Sequence, residues 1–194
     1  MGGPNADFQC TGNVIVQIAS EVDVSAFRAR VAQLRADGLL PGGAKWIRAG
    51  AACGIFGGDG TAYVLYAGPY ANPIQACATR LVSPADSFLR STSASGPKHF
   101  SCLCQVAFNA LPQITTVGQQ QVWVGEAQYL LYSTLEYKIS GLDGEAGVPN
   151  AWGVYTQETA DAVLQFQQDR GIIATGAIDG QTWQALQGKA SCAG

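Results

Sequence analysis

Apolar positions along the chain follow two rhythms. Val14, Ile15, Val16 and Ile18 form a β-branched run, the mark of a largely buried strand. Phe27, Val31 and Leu34 then recur at spacings of four and three, which sets them on one face of a helix over residues 25–37. Asp23 or Ser25 caps its start and Gly38 ends it. Residues 46–48 and 53–56 read as one or two short strands, Gly57-Gly58-Asp59-Gly60 as a turn, and residues 62–67 as a strand that Gly68-Pro69-Tyr70 stops. Asn72 caps a second helix with Pro73 at its first position. Ile74, Cys77, Ala78 and Leu81 form its predicted inner stripe, and residues 88–90 a last strand. The order β-α-β-β-α-β is the split βαβ pattern, a small antiparallel sheet with two helices on one face.

The rhythm changes after Ser91-Thr92-Ser93-Ala94-Ser95-Gly96-Pro97, a linker-like stretch. Beyond it the spacing is helical. Val124, Ala127, Leu131 and Leu135 share one face of a helix over 122–137. A glycine-rich loop over 141–150 follows. Thr156 caps a second helix, with Thr159, Ala162, Val163 and Phe166 as its stripe and Gly171 at its end. Asp179 caps a third helix over 181–187. The expected fold class is therefore α+β: a split βαβ module over 10–92, a cysteine-containing linker over 93–120, and a small three-helix domain over 121–190, stapled by disulfides.

Charge narrows the function classes. Only 13% of the 194 residues are charged, the formal net charge is −3, and 47% are hydrophobic. A phosphate-backbone binder needs a basic face, so nucleic acid is excluded as a partner. No apolar run is long enough to span a membrane. The imbalance sits in the last 74 residues, where eight acidic side chains face three basic ones. Gly57-Gly58-Asp59-Gly60 lacks a following Lys-Ser/Thr and is no phosphate loop.

Two stretches carry a family resemblance. "VIVQIAS", an Ala-containing helix and "YVLYAGPYANPIQACATRL" resemble a SPOR domain over about residues 12–92, with Gly68-Pro69-Tyr70 as the distinctive corner. That resemblance implies recognition of peptidoglycan glycan strands on an exposed sheet face, where Gln17, Tyr63 and Tyr66 are candidates. It departs from the pattern at Val64 and Tyr66, where the family often carries Arg, a rigid donor for sugar oxygens. "YTQETADAVLQFQQDRGIIATGAIDGQTWQAL" resembles the peptidoglycan-binding domain type 1. Thr159, Ala162-Val163, Phe166-Gln167, Gly171-Ile172, Gly176, Asp179, Thr182-Trp183 and Leu186 hold its spacings. The departures, Ala127-Gln128 in the first helix and Trp152-Gly153-Val154-Tyr155-Thr156 in the loop, surround the groove where that family is expected to hold its ligand. Trp152, Tyr155, Gln128 and Gln165 are the ligand candidates there. Trp152 is either a lid on the core or a stacking platform, and Gln165, Gln167 and Gln168 are amides on a helix face that is usually solvated.

The six cysteines are Cys10, Cys53, Cys77, Cys102, Cys104 and Cys192, with no CxxC among them. That argues for an oxidising compartment over a redox motif or a zinc ribbon. On the SPOR-like arrangement Cys53 faces Cys77 across sheet and helix. Cys102 and Cys104, too close to pair with each other, are expected to reach Cys10 and Cys192 and so fix the two modules. A catalytic or metal-binding set of His99, Cys102 and Cys104 lacks a placed orienting group, so no enzyme, metal or cofactor is expected. Met1 precedes a stretch without a signal-peptide pattern and is read as a start placed on a fragment. The expected function is non-catalytic recognition of a glycan strand or stem peptide by a secreted or membrane-anchored bacterial envelope protein, its membrane contact confined to an upstream anchor. The alternatives are the ectodomain of a membrane signalling protein, such as a receptor kinase, with a protein partner or wall fragments as ligand, and the targeting module of a wall hydrolase.

Overall fold

The β-branched run becomes strand β1 (Val14–Glu21), and the helix predicted after it is α1 (Val24–Ala36). The computed structural model describes residues 8–51, 55–56, 60–93, 99–142 and 151–190. Two units divide between Phe100 and Ser101. In the first, β2 (Lys45–Arg48), β3 (Tyr63–Tyr70), α2 (Pro73–Arg80), β4 (Phe88–Ser91) and the two-residue β5 (His99–Phe100) complete the order. The strands form one antiparallel sheet in the order β2-β3-β1-β4-β5. The first four realise the split βαβ topology, with the last strand returning beside the first. β5 was not legible because two residues carry no period.

Helix starts follow local chemistry. Asp23 Oδ1 accepts from the Ser25 and Ala26 amides, both at 2.8 Å, and Asn72 Oδ1 accepts from the Gln75 amide at 3.1 Å. These are N-caps that occupy otherwise orphaned donors. Strand β3 runs through the Gly-Pro corner instead of stopping at Ala67, because Tyr70 still pairs with Val14. Gly68 there has φ +109°, and a Cβ on it would sit 2.9 Å from the Tyr70 ring, so both backbone and space demand glycine.

Both helices pack on β1 and β3. Phe27, Val31 and Leu34 are buried as expected. On α2 the stripe is rotated. Ala76, Cys77 and Arg80 are buried, while Ile74 is 62% exposed and Ala78 is exposed. Arg80 draws its face inward by donating to the carbonyls of Pro84 and Ala85. The opposite sheet face is buried as well. Ile15, Ile47, Val64 and Tyr66 cluster under Phe8, Phe56 and Ala62. Residues 55 and 56 form a turn over that face instead of a strand.

The second unit starts at Ser101, so the expected linker is divided. His99 and Phe100 join the first sheet, whereas Leu103, Leu111 and Ile114 are core residues of the second unit. Ile114 forms a bridge with Ile178, and Gln120 with Val154. The three expected helices are present. The first is α3 (Val122–Gln128), continued by a π-helical turn at Tyr129–Thr134; α4 is Gln157–Asp169 and α5 is Gly180–Gln187. The π turn ends the first helix before residue 137. Glu136 lies in the left-handed region at φ +61°. Val124, Ala127, Leu131, Val163, Phe166 and Trp183 fill the core.

Cys10, Cys77, Cys102 and Cys104 are each disulfide-bonded. Cys53 and Cys192, the partners expected for Cys77 and for one of the Cys102/Cys104 pair, lie outside the described residues. Among the described residues no helix is long and apolar enough to cross a membrane.

Candidate functional site

The site in the second unit is built from two buried amides and the turns they hold. Gln128 leaves α3 with no exposed surface. Its Nε2 donates to the Ala151 carbonyl at 3.0 Å, the Val154 carbonyl at 2.9 Å and Thr159 Oγ1 at 2.9 Å, and its Oε1 accepts from the Gly153 amide at 2.7 Å. A buried amide must find such partners, and here every one of them lies on the turn carrying Trp152 or at the start of α4. Gln167, also fully buried, repeats the device on the next turn. Its Nε2 donates to the Ala177 carbonyl at 2.7 Å and Thr182 Oγ1 at 2.8 Å, while Oε1 accepts from the Thr175 and Gly176 amides at 2.8 and 2.9 Å. Thr156 Oγ1 caps α4 through the Thr159 amide, and Asp179 Oδ1 caps α5 through the Thr182 amide and hydroxyl.

Tyr155 links the two turns. It is 1% exposed, and its hydroxyl donates to the Gly176 carbonyl. Its backbone pairs with Gln119 and Gly118, each at 2.8 Å. Burial pushes its hydroxyl pKa up. Between the ordinary tyrosine pKa of about 10 and the raised folded value, the unfolded chain has lost the proton and the folded chain keeps it. The stabilisation is complete below that ordinary value and is lost as pH rises above it. Tyr155→Phe is therefore expected to flatten the alkaline fall of stability, by at most about 1.4 kcal/mol per pH unit. Denaturation midpoints at a series of alkaline pH values check this; equal slopes in both proteins would refute it.

Trp152 sits at the tip of the clamped turn. It is half-buried, its indole N–H donates to the Leu142 carbonyl at 3.0 Å, and its ring stands edge-on to Tyr132 at 6.3 Å and 87°. It is thus partly a lid on the core and partly surface. Tyr132, half-buried on the π turn, went unmarked by periodicity, although π turns recur at functional sites. Gln165 is exposed on α4. Tyr137, near the end of the first helical segment, donates to Asp169 at 2.6 Å, and burial together with that carboxylate pushes its pKa up to about 12.

Of the other expected ligand residues, Gln128, Tyr155, Tyr66 and Gln17 are buried and Tyr63 is half-buried. The polar atoms of Gln128 and Tyr155 are occupied by hydrogen bonds within the fold. In the first unit Tyr66 is fully buried, with Phe8 edge-on to it at 5.3 Å. Gln17 is 8% exposed. Tyr63 has Phe27 stacked at 5.7 Å and the Arg48 guanidinium 4.9 Å from its ring centroid. The expected sheet-face platform is therefore covered: the rings that periodicity placed on the sheet are packing partners. Gln167, grouped with solvated amides, is likewise internal. Trp183, whose indole N–H needed a partner, donates to the Pro112 carbonyl at 2.8 Å.

Cys102 and Cys104 carry no free thiol, being disulfide-bonded. Among the described residues no three His, Cys, Asp or Glu side chains group as a metal site. Residues 124–186 match the model of the family described as "Putative peptidoglycan binding domain", which covers less than half of the chain and supports a peptidoglycan-binding domain there. No curated protein and no solved structure matches the chain.

Proposed function

We propose that the second unit recognises peptidoglycan without transforming it, through the half-exposed face of Trp152 and the neighbouring Tyr132. The observation that carries this reading is the clamped turn. Three hydrogen bonds with the buried Gln128 hold the backbone on both sides of Trp152, and a fourth ties the amide to Thr159 Oγ1 on α4. A ring held in this way loses little conformational freedom when a sugar face or stem-peptide group stacks on it, so less binding energy is lost to ordering. The family match over residues 124–186 supports the ligand class. Gln165 on α4 adds an exposed amide for acetamido or peptide groups.

The first unit keeps the β-α-β-β-α-β order behind the SPOR-like resemblance. Its helix-free sheet face lies under Phe8 and Phe56, so glycan recognition is assigned to the second unit. The disulfide-bonded cysteines favour an oxidising compartment, and with the ligand class they favour a wall-facing location for a secreted or anchored protein.

Sedimentation with insoluble peptidoglycan tests the reading. The chain is expected to co-sediment, and Trp152→Ala to weaken retention about tenfold, a change of about 1.4 kcal/mol. Trp152→Phe keeps a ring and should restore most of it. No retention above that on insoluble cellulose would overturn the assignment. Clearing of wall suspensions by the isolated chain would overturn its non-catalytic part.

A further inference from the structure

The helix-free face of the first sheet holds a cavity of about 200 Å³. Phe8, Tyr66 and Pro69 are the apolar residues of its lining, and Gln9, Thr11, Asn13, Lys45 and Thr92 complete it. Three observations mark it as more than a packing gap.

First, Thr92 is 1% exposed, yet its Oγ1 has no hydrogen-bond partner. A buried hydroxyl left unpaired costs about 1–3 kcal/mol, and Thr92 is one of the residues that line the cavity. Second, Arg90 lies on β4, two positions before Thr92. It is 9% exposed, its Nε is also unpartnered, and no carboxylate pairs with it among the described residues. Its guanidinium lies beside the Phe56 and Phe88 rings, at 5.5 and 5.3 Å, and donates to the Ile55 carbonyl. Third, Lys45 is exposed on the edge strand β2 at the cavity, also without a carboxylate among the described residues. Lys45 thus gives the cavity lining one cation without a counter-charge, and Arg90 supplies a second on β4, outside the lining. Charges held near low-dielectric walls favour an anion at that place.

The remaining lining narrows the ligand. The volume is below that of a drug-sized pocket and suits one end of a chain. Asn13 and Gln9 each offer a donor and an acceptor, the complement of a peptide unit. The aromatic and proline wall accepts a small apolar side chain.

The geometry points to this cavity as a binding site for the free C-terminal carboxylate of a short peptide ending in an alanine-sized residue, with Lys45 and the Thr92 hydroxyl on the carboxylate. The site does not rest on wall recognition by residues 124–186, and the two are read by different experiments.

Titration of the full chain, followed by amide NMR, tests it with N-acetyl-D-alanyl-D-alanine, its L,L form and the C-terminal amide of each. At least one free acid should bind with Kd below about 1 mM. Its shifts should centre on Asn13, Lys45, Tyr66 and Thr92, and its amide should bind at least tenfold more weakly. Comparison of the D,D and L,L acids identifies the source as a wall stem peptide or an ordinary protein terminus. Lys45→Gln, at an exposed position that leaves the core intact, should weaken binding at least tenfold. Thr92→Val should weaken it too while leaving the fold at least as stable, because it removes the unpaired hydroxyl. Equal binding of acid and amide, no effect of Lys45→Gln, or acetate binding as tightly as the dipeptide would overturn the proposal.

Discussion

Replacing Gln128 with leucine is expected to cost the second unit about 3 kcal/mol, although the side chains are similar in size. The loss is concentrated in one atom. The Ala151 carbonyl still accepts from Val154, and the Val154 carbonyl from Thr156. Thr159 Oγ1 still meets Thr156 Oγ1 at 3.1 Å. The amide of the buried Gly153 has only Gln128 Oε1, and leucine offers it nothing. An orphaned buried donor accounts for about 1–3 kcal/mol, and the lost amide donors add to it. Intrinsic fluorescence in a denaturant series reads the effect, because Trp123, Trp152 and Trp183 lie in the second unit and only Trp46 in the first. Wall retention should fall with stability, since the freed turn carries Trp152. Gln165→Leu, on the exposed face of the next helix, should stay within about 0.5 kcal/mol of the parent. Equal stability of the two variants would contradict the bracket role.

Trp183→Ala should cost about 4 kcal/mol. The side chain has no exposed surface, stands edge-on to Trp123 at 6.4 Å, and joins α5 to the segment before α3 through the Pro112 carbonyl. Alanine removes the ring's transfer free energy, leaves a cavity, and deprives Pro112 of its indole donor. Trp183→Phe restores most of the volume without the N–H and should cost about 1–2 kcal/mol. Circular dichroism during unfolding is the suitable measurement, since the substitution removes a fluorophore. A loss below about 1 kcal/mol for the alanine variant would show that the helices repack without the ring.

These two positions show why parts of the protein were legible and others were not. Trp183, Phe166 and Val163 lie on periodic stripes, and periodicity reports directly which side of a helix leaves water. The caps at Asp23, Asn72, Thr156 and Asp179 were legible because a cap is satisfied within three residues of itself. Gln128, expected as a ligand residue, and Gln167, expected as a solvated amide, are both fully buried. An isolated glutamine carries no period, and its burial depends on hydrogen-bond partners 8 to 31 residues away. Ile74, expected inside, is exposed while Arg80 is buried for the same kind of reason: the carbonyls at Pro84 and Ala85 give the guanidinium its partners.

By itself the sequence determined the order of elements, the helix starts, the antiparallel α+β character of the first unit and the helical character of the second. Each of those rests on alternation, spacing or a cap, all properties of neighbouring residues. Tertiary structure alone decided where the units divide and which aromatic rings meet water. Leu103, Leu111 and Ile114 belong to the second core because Trp183 and Ile178 meet them or their neighbours there. Tyr66 is hidden because Phe8, 58 positions earlier, folds over it, whereas Trp152 keeps a face outward because its turn is held from below. Burial is a property of what lies on top of a residue, and that partner is chosen by the folded chain as a whole.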